Sequence, residues 1–186
     1  MLQIFDGDHV FRILIVRSKC GVISAQEMQV AAMIIPLEDM KPRLVRGQRL
    51  LGFDLGTKTI GLALSDVEFR IATPFKTIRR TKFRDEAAEL VKIAGEFSIS
   101  GLVFGLPLNM DGSEGPRAQS TRAFVRNLGP LLPLPVMMWD ERLSTVAAER
   151  ALLSVDMSRQ KRGEVIDATA AAFILQGALD RLSRLS

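Results

Sequence analysis

Acidic side chains stand at the ends of, or inside, apolar elements at three separated places in the chain. Asp54 closes the apolar run Leu51-Gly52-Phe53, the pair Asp140-Glu141 follows a second apolar run, and Asp167 lies within an apolar helical pattern. A carboxylate in apolar surroundings is costly unless something compensates its charge. Three such carboxylates are what a divalent metal site for phosphate chemistry requires. We therefore interpret these acids as a candidate metal site.

Each acid also has a structural interpretation. Asp54 could end its strand and cap the turn that begins at Gly56, as Asp often does. Asp140 and Glu141 could form an exposed acidic turn or an ion pair with Arg142. Asp167 could be a first-turn acid favoured by the helix dipole. Spacing alone leaves these alternatives open.

Composition restricts the chemistry further. The chain has 186 residues, 47% of them hydrophobic, which is enough for one core. Its only cysteine and only histidine, Cys20 and His9, lie in the first 20 residues. A Cys/His zinc site, a cysteine nucleophile and a Ser-His-Asp triad are therefore excluded from the rest of the chain. A metal bound there must have oxygen ligands, which favours magnesium or manganese.

Charge and hydropathy point to a compartment and a class of partner. The net charge of +4 and the pI near 9.6 suit a polyanionic partner without demanding one. The sequence has no apolar run of membrane-spanning length, and Asp6 and Asp8 argue against a signal peptide. We expect a cytoplasmic protein.

The first 46 residues lack the regular pattern of the remainder, so we predict an N-terminal extension, 1–46, and one domain, 47–186. The extension is either an appendage that packs on the core or a segment upstream of the true start, which would then be Met28, Met33 or Met40.

The pattern of the domain predicts an α/β fold. Residues Gly61, Ala63 and Ser65 form a small-residue face on the second strand, which would let another group approach closely. Three consecutive strands imply an antiparallel meander, and the later strands imply parallel additions, giving a five-stranded mixed sheet with helices on both faces. The predicted strands are 50–54, 59–66, 72–78, 101–106 and 136–139, and the predicted helices are 83–97, 116–128, about 145–153 and 163–182.

Three groups of basic residues could follow a phosphate backbone, although a charge run is equally often a solvated face. These groups are Arg79-Arg80-Thr81-Lys82-Phe83-Arg84; Arg117, Arg122 and Arg126; and Arg159-Gln160-Lys161-Arg162, which we read as a connector before the last helix.

The residues alone support three function classes. The first is a metal-dependent nuclease. The second is a nucleotide-binding ATPase or sugar-kinase-like domain, because Asp54-Leu55-Gly56-Thr57 resembles the phosphate loop of that group; such proteins clasp ATP between two domains, whereas this chain holds one. The third is an RNA-binding assembly factor without catalysis.

Four motifs in order resemble the YqgF (RuvX-type) family, which comprises proposed pre-16S rRNA nucleases formerly described as Holliday junction resolvases. They are Gly52-Phe53-Asp54-Leu55-Gly56-Thr57-Lys58-Thr59-Ile60-Gly61, the segment from Phe104 through Asn109-Met110-Asp111-Gly112 to Gly115, Asp140-Glu141-Arg142-Leu143-Ser144-Thr145, and Ile166-Asp167-Ala168 with Ala170-Ala171. The resemblance covers about 50–182 and implies an RNase H-like fold.

By this resemblance Asp54 is the catalytic acid of the first strand, Glu141 or Asp140 is the second acid, and Asp167 is the acid of the last helix. Asp54, Glu141 and Asp167 would bind one or two Mg²⁺ or Mn²⁺ ions. The candidate substrate contacts are Lys58, Asn109, Arg117 and Arg142.

The expected function is cleavage of structured RNA in the maturation of the 16S rRNA 5′ end, by a monomer or a homodimer. The alternative is a DNA junction resolvase, which would need a dimer to cut two strands symmetrically. Junction-resolving relatives of the wider superfamily carry a Glu at the end of the fourth strand, whereas here that strand ends Gly105-Leu106-Pro107. This departure weighs against junction cleavage.

Overall fold

The computed structural model describes residues 34–140 and 159–185, with side chains of the last helix from 166 onward, and a short hairpin near the N-terminus. The hairpin consists of β1 (Arg17–Ser18) and β2 (Gly21–Val22). The remaining described elements are α1 (Leu37–Met40) with a 3₁₀ turn (Lys41–Arg43), β3 (Arg49–Leu55), β4 (Thr59–Ser65), β5 (Ala72–Arg79), α2 (Phe83–Glu96), β6 (Ile99–Leu106), α3 (Pro116–Leu128), β7 (Val136–Asp140) and α4 (Arg159–Ser183).

Five strands form one mixed sheet in the order β5-β4-β3-β6-β7. Strands β3, β4 and β5 pair antiparallel, while β6 and β7 add in parallel to β3. This is the strand order of an RNase H-like sheet, so the predicted five-stranded mixed sheet is confirmed. The carboxyl ends of β3, β6 and β7 meet at one edge because these three strands run in the same direction.

Helices cover both faces of the sheet, as predicted. On the first face, large side chains of α2 and α3 pack on the sheet, among them Leu90 and Phe124. On the second face, α4 packs through residues such as Ala171 and Leu175. Strand β6 is buried along its whole length because it is covered on both faces.

Strand β5 lies at an edge of the sheet, and its pairing with β4 is irregular between Leu62 and Ala63, opposite Pro74 and Lys76. Proline lacks a backbone N–H and is therefore confined to edges and bulges. Pro74 satisfies both conditions, because it lies on an edge strand and at the irregularity.

The last helix begins earlier than predicted. Arg159 opens α4, so the interpretation of Arg159-Gln160-Lys161-Arg162 as a connector is wrong. Arginine, lysine and glutamine are good helix formers, and their charge does not break a helix. The helix predicted around 145–153 lies outside the described residues.

Residues 34–46 pack on the sheet. Ile34 bridges Val136 in parallel, and the Ile35 N–H donates to the Val136 carbonyl at 2.8 Å. Met40 is fully buried against Gly101. Ile35 and Met40 thus belong to the core on the α4 face. No helix in the described part of the chain is long and apolar enough to cross a membrane.

Candidate active site

Asp54 is a buried carboxylate near the carboxyl end of β3. Its neighbours Phe53 and Leu55 point into the core shared with α2 and α3. Side chains alternate along a strand, so Asp54 points to the opposite face, which α4 covers. Only 8% of Asp54 is exposed to solvent. A charged group at this depth needs favourable partners, and a divalent cation is one of them.

Gly61 brings the last helix to Asp54. In the β3–β4 ladder Asp54 lies directly opposite Gly61. A Cβ atom added to Gly61 would lie 2.0 Å from the Asp167 carbonyl oxygen and 2.4 Å from its carbonyl carbon. The backbone of α4 therefore touches β4 at Asp167, one strand away from Asp54. The predicted close approach to the small-residue face of β4 is confirmed, and it places the backbones of two predicted site acids next to each other.

Asp167 lies at the border between the apolar stripe of α4 and solvent. Ala170, Ala171 and Ile174, which follow it at helical spacing, are buried, while Asp167 itself is half-buried. The helix begins at Arg159, so Asp167 is about two turns inside it. The dipole effect on side chains falls off within the first turn. The helix dipole is therefore a weaker explanation for Asp167 than the sequence suggested.

Two further close contacts seat α4 on the sheet. A Cβ atom on Gly52 would lie 2.7 Å from Leu175 Cβ and 3.1 Å from the Ala171 carbonyl oxygen. A Cβ atom on Gly177 would lie 3.0 Å from Cζ2 of Trp139. The helix is thus held against β3, β4 and β7, so the position of Asp167 relative to Asp54 is fixed by packing.

Asp140 ends β7, beside Leu106 at the end of β6. Met137 and Trp139 belong to the core on the α4 face, whereas Val136 and Met138 pack with the core on the other face. Strand alternation assigns Asp140 to the face of Val136 and Met138, which is opposite that of Asp54. Glu141 and Arg142 lie outside the described residues.

Oxygen ligands suited to Mg²⁺ or Mn²⁺ are present on the α4 face in Asp54 and Asp167. Among residues 34–140 and 166–185, no group of three or more His, Cys, Asp or Glu side chains could hold a metal ion. A third carboxylate would have to come from the part of the chain that is not described, which includes Glu141. The donors present fit a hard divalent cation.

The candidate substrate contacts Lys58, Asn109 and Arg117 are all exposed. Lys58 lies in the β3–β4 turn, Asn109 lies in the loop between β6 and α3, and Arg117 lies in the first turn of α3. The first two follow the carboxyl ends of parallel strands and share an edge with Asp54. Asn109 also braces its own loop, because its Nδ2 donates to Ser113 Oγ at 2.8 Å.

An ion pair anchors the far end of this Asn109–Gly115 loop. Arg122 Nε donates to both carboxylate oxygens of Glu114, at 2.7 and 2.8 Å. This hydrogen bonding holds the pKa of Glu114 below its ordinary value of 4.5. Arg122, one of the basic residues considered for phosphate contact, is therefore engaged within the protein.

A second buried acid, Glu86, was not predicted from the sequence, and it pairs with Arg80, which the charge pattern had grouped among possible phosphate contacts. Glu86 is 2% exposed, and its Oε1 lies 3.6 Å from Arg80 Nε. The signal was present in the sequence, because Glu86 occupies the i position of an apolar stripe that continues at Leu90 and Ile93.

Comparison with known proteins gives consistent results. The family model described as "RuvX: Holliday junction resolvase" matches residues 48–181. A Rhodobacter capsulatus protein named "Putative pre-16S rRNA nuclease" is 62% identical over 154 residues, covering 82% of this chain and 97% of that protein. Relatives with the same name from Cereibacter sphaeroides and Methylocella silvestris are 64% and 59% identical, covering 80% and 83% of this chain and 93% and 96% of theirs.

Solved structures with a similar arrangement include RuvC of Thermus thermophilus in complex with a Holliday junction substrate. That structure has a TM-score of 0.49 and 13% sequence identity, and the match covers 75% of this chain and 98% of RuvC.

Proposed function

The chain belongs to the RuvX family, a family of nucleases, and from this premise we propose that it is a metal-dependent endonuclease that trims the 5′ end of precursor 16S rRNA. The observation that carries the proposal is the contact between Gly61 and the Asp167 carbonyl, which brings the last helix beside buried Asp54. The names of the relatives supply the substrate class.

We assign Asp54, Asp167 and Glu141 as the residues that would hold one or two Mg²⁺ or Mn²⁺ ions. Glu141 is preferred to Asp140 because strand alternation turns Asp140 away from the Asp54 face. When bound, the ion lowers the pKa of an attacking water and neutralises charge on the cleaved phosphate.

The other residues of the site bind and orient the nucleic acid. Lys58 extends from the turn after β3 and would hold a phosphate near Asp54. Asn109 and its loop border the same edge of the sheet, and Arg117 would contact the backbone of the nucleic acid. Arg142, which follows Glu141 in the sequence, would hold a phosphate or orient the acids. Burial of Asp54 keeps bulk water from competing for its oxygens, which strengthens every electrostatic interaction there.

The test is cleavage of a 5′-extended 16S precursor RNA and of a four-way DNA junction, each with Mn²⁺ or with EDTA. We expect the wild type to cut the RNA near the mature 5′ end only with metal. For Asp54→Asn we expect a loss of at least about 100-fold, because even groups that merely orient metal ligands are worth about 10–100-fold.

Asp66→Asn is the matched control. Asp66 follows β4, which runs antiparallel to β3, and it accepts the N–H groups of Arg70 and Ile71 at 2.6 and 3.0 Å. This variant removes the same charge at the other end of the sheet and should cut at the wild-type rate. Full activity of Asp54→Asn would refute the site. Cutting of the junction but not of the RNA would replace the RNA substrate with branched DNA.

The melting temperature of Asp54→Asn gives an independent check. Without metal, neighbouring carboxylates repel one another, so the amide should leave the fold intact and its metal-free stability equal to or above that of the wild type. A marked loss of stability would instead indicate that Asp54 serves the fold.

A further inference from the structure

Arg80 donates hydrogen bonds to both ends of the turn that joins β3 to β4. The Arg80 backbone N–H donates to the Lys58 carbonyl at 2.9 Å. The Arg80 side chain donates from Nη1 to the Gly56 carbonyl at 3.3 Å. The turn Gly56–Lys58 begins two residues after Asp54 and carries Lys58. Arg80 therefore connects the edge strand β5 to the backbone that presents two candidate site residues.

A buried carboxylate holds the side chain of Arg80 in place. Glu86 Oε1 lies 3.6 Å from Arg80 Nε and accepts the Thr81 N–H at 2.7 Å. The Glu86 side chain is 1% exposed and that of Arg80 is 26% exposed. Burial of an ion pair costs desolvation that its attraction often does not repay, so such a pair is weak evidence for a contribution to stability. The Arg80–Glu86 pair is therefore better explained by a role other than stabilising the fold.

An aromatic ring lies against the guanidinium of Arg80. Arg80 Cζ lies 5.4 Å from the centroid of the Phe124 ring. Phe124 is itself held edge-on by Phe83, with ring centroids 5.5 Å apart. A planar guanidinium can rest on this ring and still direct separate N–H groups to Glu86 and Gly56. A lysine ammonium is a compact point charge and cannot reproduce this arrangement.

We propose that Arg80, held by Glu86, is a positioning residue that sets the conformation of the Gly56–Lys58 turn and thereby delivers Lys58 to the nucleic-acid phosphate. The proposal rests on the proposed function, because it concerns the substrate contact of that site. Arg80 acts through the turn and does not itself touch the substrate.

Arg80→Lys tests this role because it keeps the charge and removes the planar fork. Since Arg80 acts on substrate binding, we expect KM to rise about tenfold while kcat changes little. Glu86→Gln should raise KM in the same direction, because it removes the charge that holds Arg80. Both variants must melt near the wild-type temperature for the comparison to count, and Arg80→Lys is the milder of the two.

The matched control is Glu89→Gln. Lys76 Nζ lies 2.6 Å from Glu89 Oε1, and this exposed pair connects the same strand, β5, to the same helix, α2, away from the turn. The control should leave KM unchanged. An equal rise of KM in Glu89→Gln would show that any link between β5 and α2 matters, which would overturn the specific role of Arg80.

A double variant separates positioning from general damage. If Arg80 acts through Lys58, then Arg80→Lys in the Lys58→Ala background should raise KM no further than Lys58→Ala alone. If the two increases multiply, the residues act independently and the inference fails.

Hydrogen exchange tests the inference without any substrate. Exchange is measured at two backbone amides. The Arg80 N–H donates a hydrogen bond to the Lys58 carbonyl, and the Gly56 N–H donates one to the Thr59 carbonyl. In Arg80→Lys both should exchange at least about tenfold faster, whereas the core amide of Leu90 should not change. Unchanged exchange would overturn the inference. If exchange is faster in Arg80→Lys but the wild type cuts neither the RNA nor the DNA junction, the proposed function fails and the role of Arg80 in the turn stands.

Discussion

The two faces of the sheet are packed in different ways. On the face covered by α2 and α3, large side chains meet, and the stacked rings of Phe53 and Phe104 lie 4.1 Å apart at an interplanar angle of 8°. On the face covered by α4, glycines let the helix backbone approach the strands, as at Gly52 and Gly61. The acids Asp54 and Asp167 belong to this second face. Both faces bury apolar area, but only the second brings the backbone of a helix into direct contact with the strands.

The largest expected effect is that of Gly61→Ala, because it acts on both activity and stability. The new Cβ would lie 2.0 Å from the Asp167 carbonyl oxygen, and a helix backbone cannot yield without moving as a unit. We expect a loss of about 3 kcal/mol or more, at the upper end for overpacked sites. Since a shift of 1 Å can cost about 100-fold in rate, activity should fall by at least that factor. Urea unfolding and the cleavage assay measure the two losses.

Gly95→Ala is the control for this variant. Gly95 lies in α2, where an added Cβ meets nothing within 4 Å. Replacing a helical glycine by alanine there should stabilise the protein by about 0.5–1 kcal/mol and leave activity unchanged. If Gly61→Ala behaved like Gly95→Ala, the close approach of α4 would have no functional meaning.

Phe104→Ala examines the other face. Phe104 is fully buried and stacks on Phe53, so its truncation should cost about 3–5 kcal/mol of unfolding free energy. Its side chain points away from Asp54, so kcat of the folded protein, measured well below the melting temperature, should stay within about threefold of wild type. A loss of kcat comparable to that of Asp54→Asn would contradict the division between the two faces.

Met40→Ala tests whether the N-terminal segment contributes to the core on the α4 face. Met40 is fully buried and contacts the sheet at Gly101, so we expect a loss of about 2–5 kcal/mol. Met110→Ala is the control, because Met110 is 93% exposed. Equal stability of both variants would show that Met40 and its segment add nothing to the core.

Glu114→Gln should have the smallest effect, because its ion pair with Arg122 is exposed at the protein surface. Exposed pairs contribute at most about 1 kcal/mol. The folded pKa of Glu114 is lowered, so its contribution is fully present above the unfolded value of 4.5 and is lost as the pH falls through the folded pKa. The melting temperatures of variant and wild type should therefore differ at neutral pH and converge in acid. A difference that persisted in acid would point to a cause other than this carboxylate.

Local sequence patterns predicted much of the fold. Alternation on β4 predicted both the strand and its small-residue face, and the helical spacing around Ala170 and Ile174 predicted the apolar stripe of α4. These signals are readable because strand and helix periods are properties of consecutive residues. The start of α4 was missed because basic residues such as Arg159 are helix formers as well as loop residues.

The sequence by itself determined the candidates for the chemistry and the family. The candidates are acids in apolar contexts, the chain lacks cysteine and histidine beyond residue 20, and four motifs are typical of the RuvX family. The tertiary structure alone decided which of these groups meet. It placed Asp167 against Gly61, turned Asp140 from the Asp54 face, and joined Arg80 to Glu86 beneath the turn of Lys58. Such contacts arise between residues far apart in the chain, where strand register and helix packing, rather than local spacing, determine proximity.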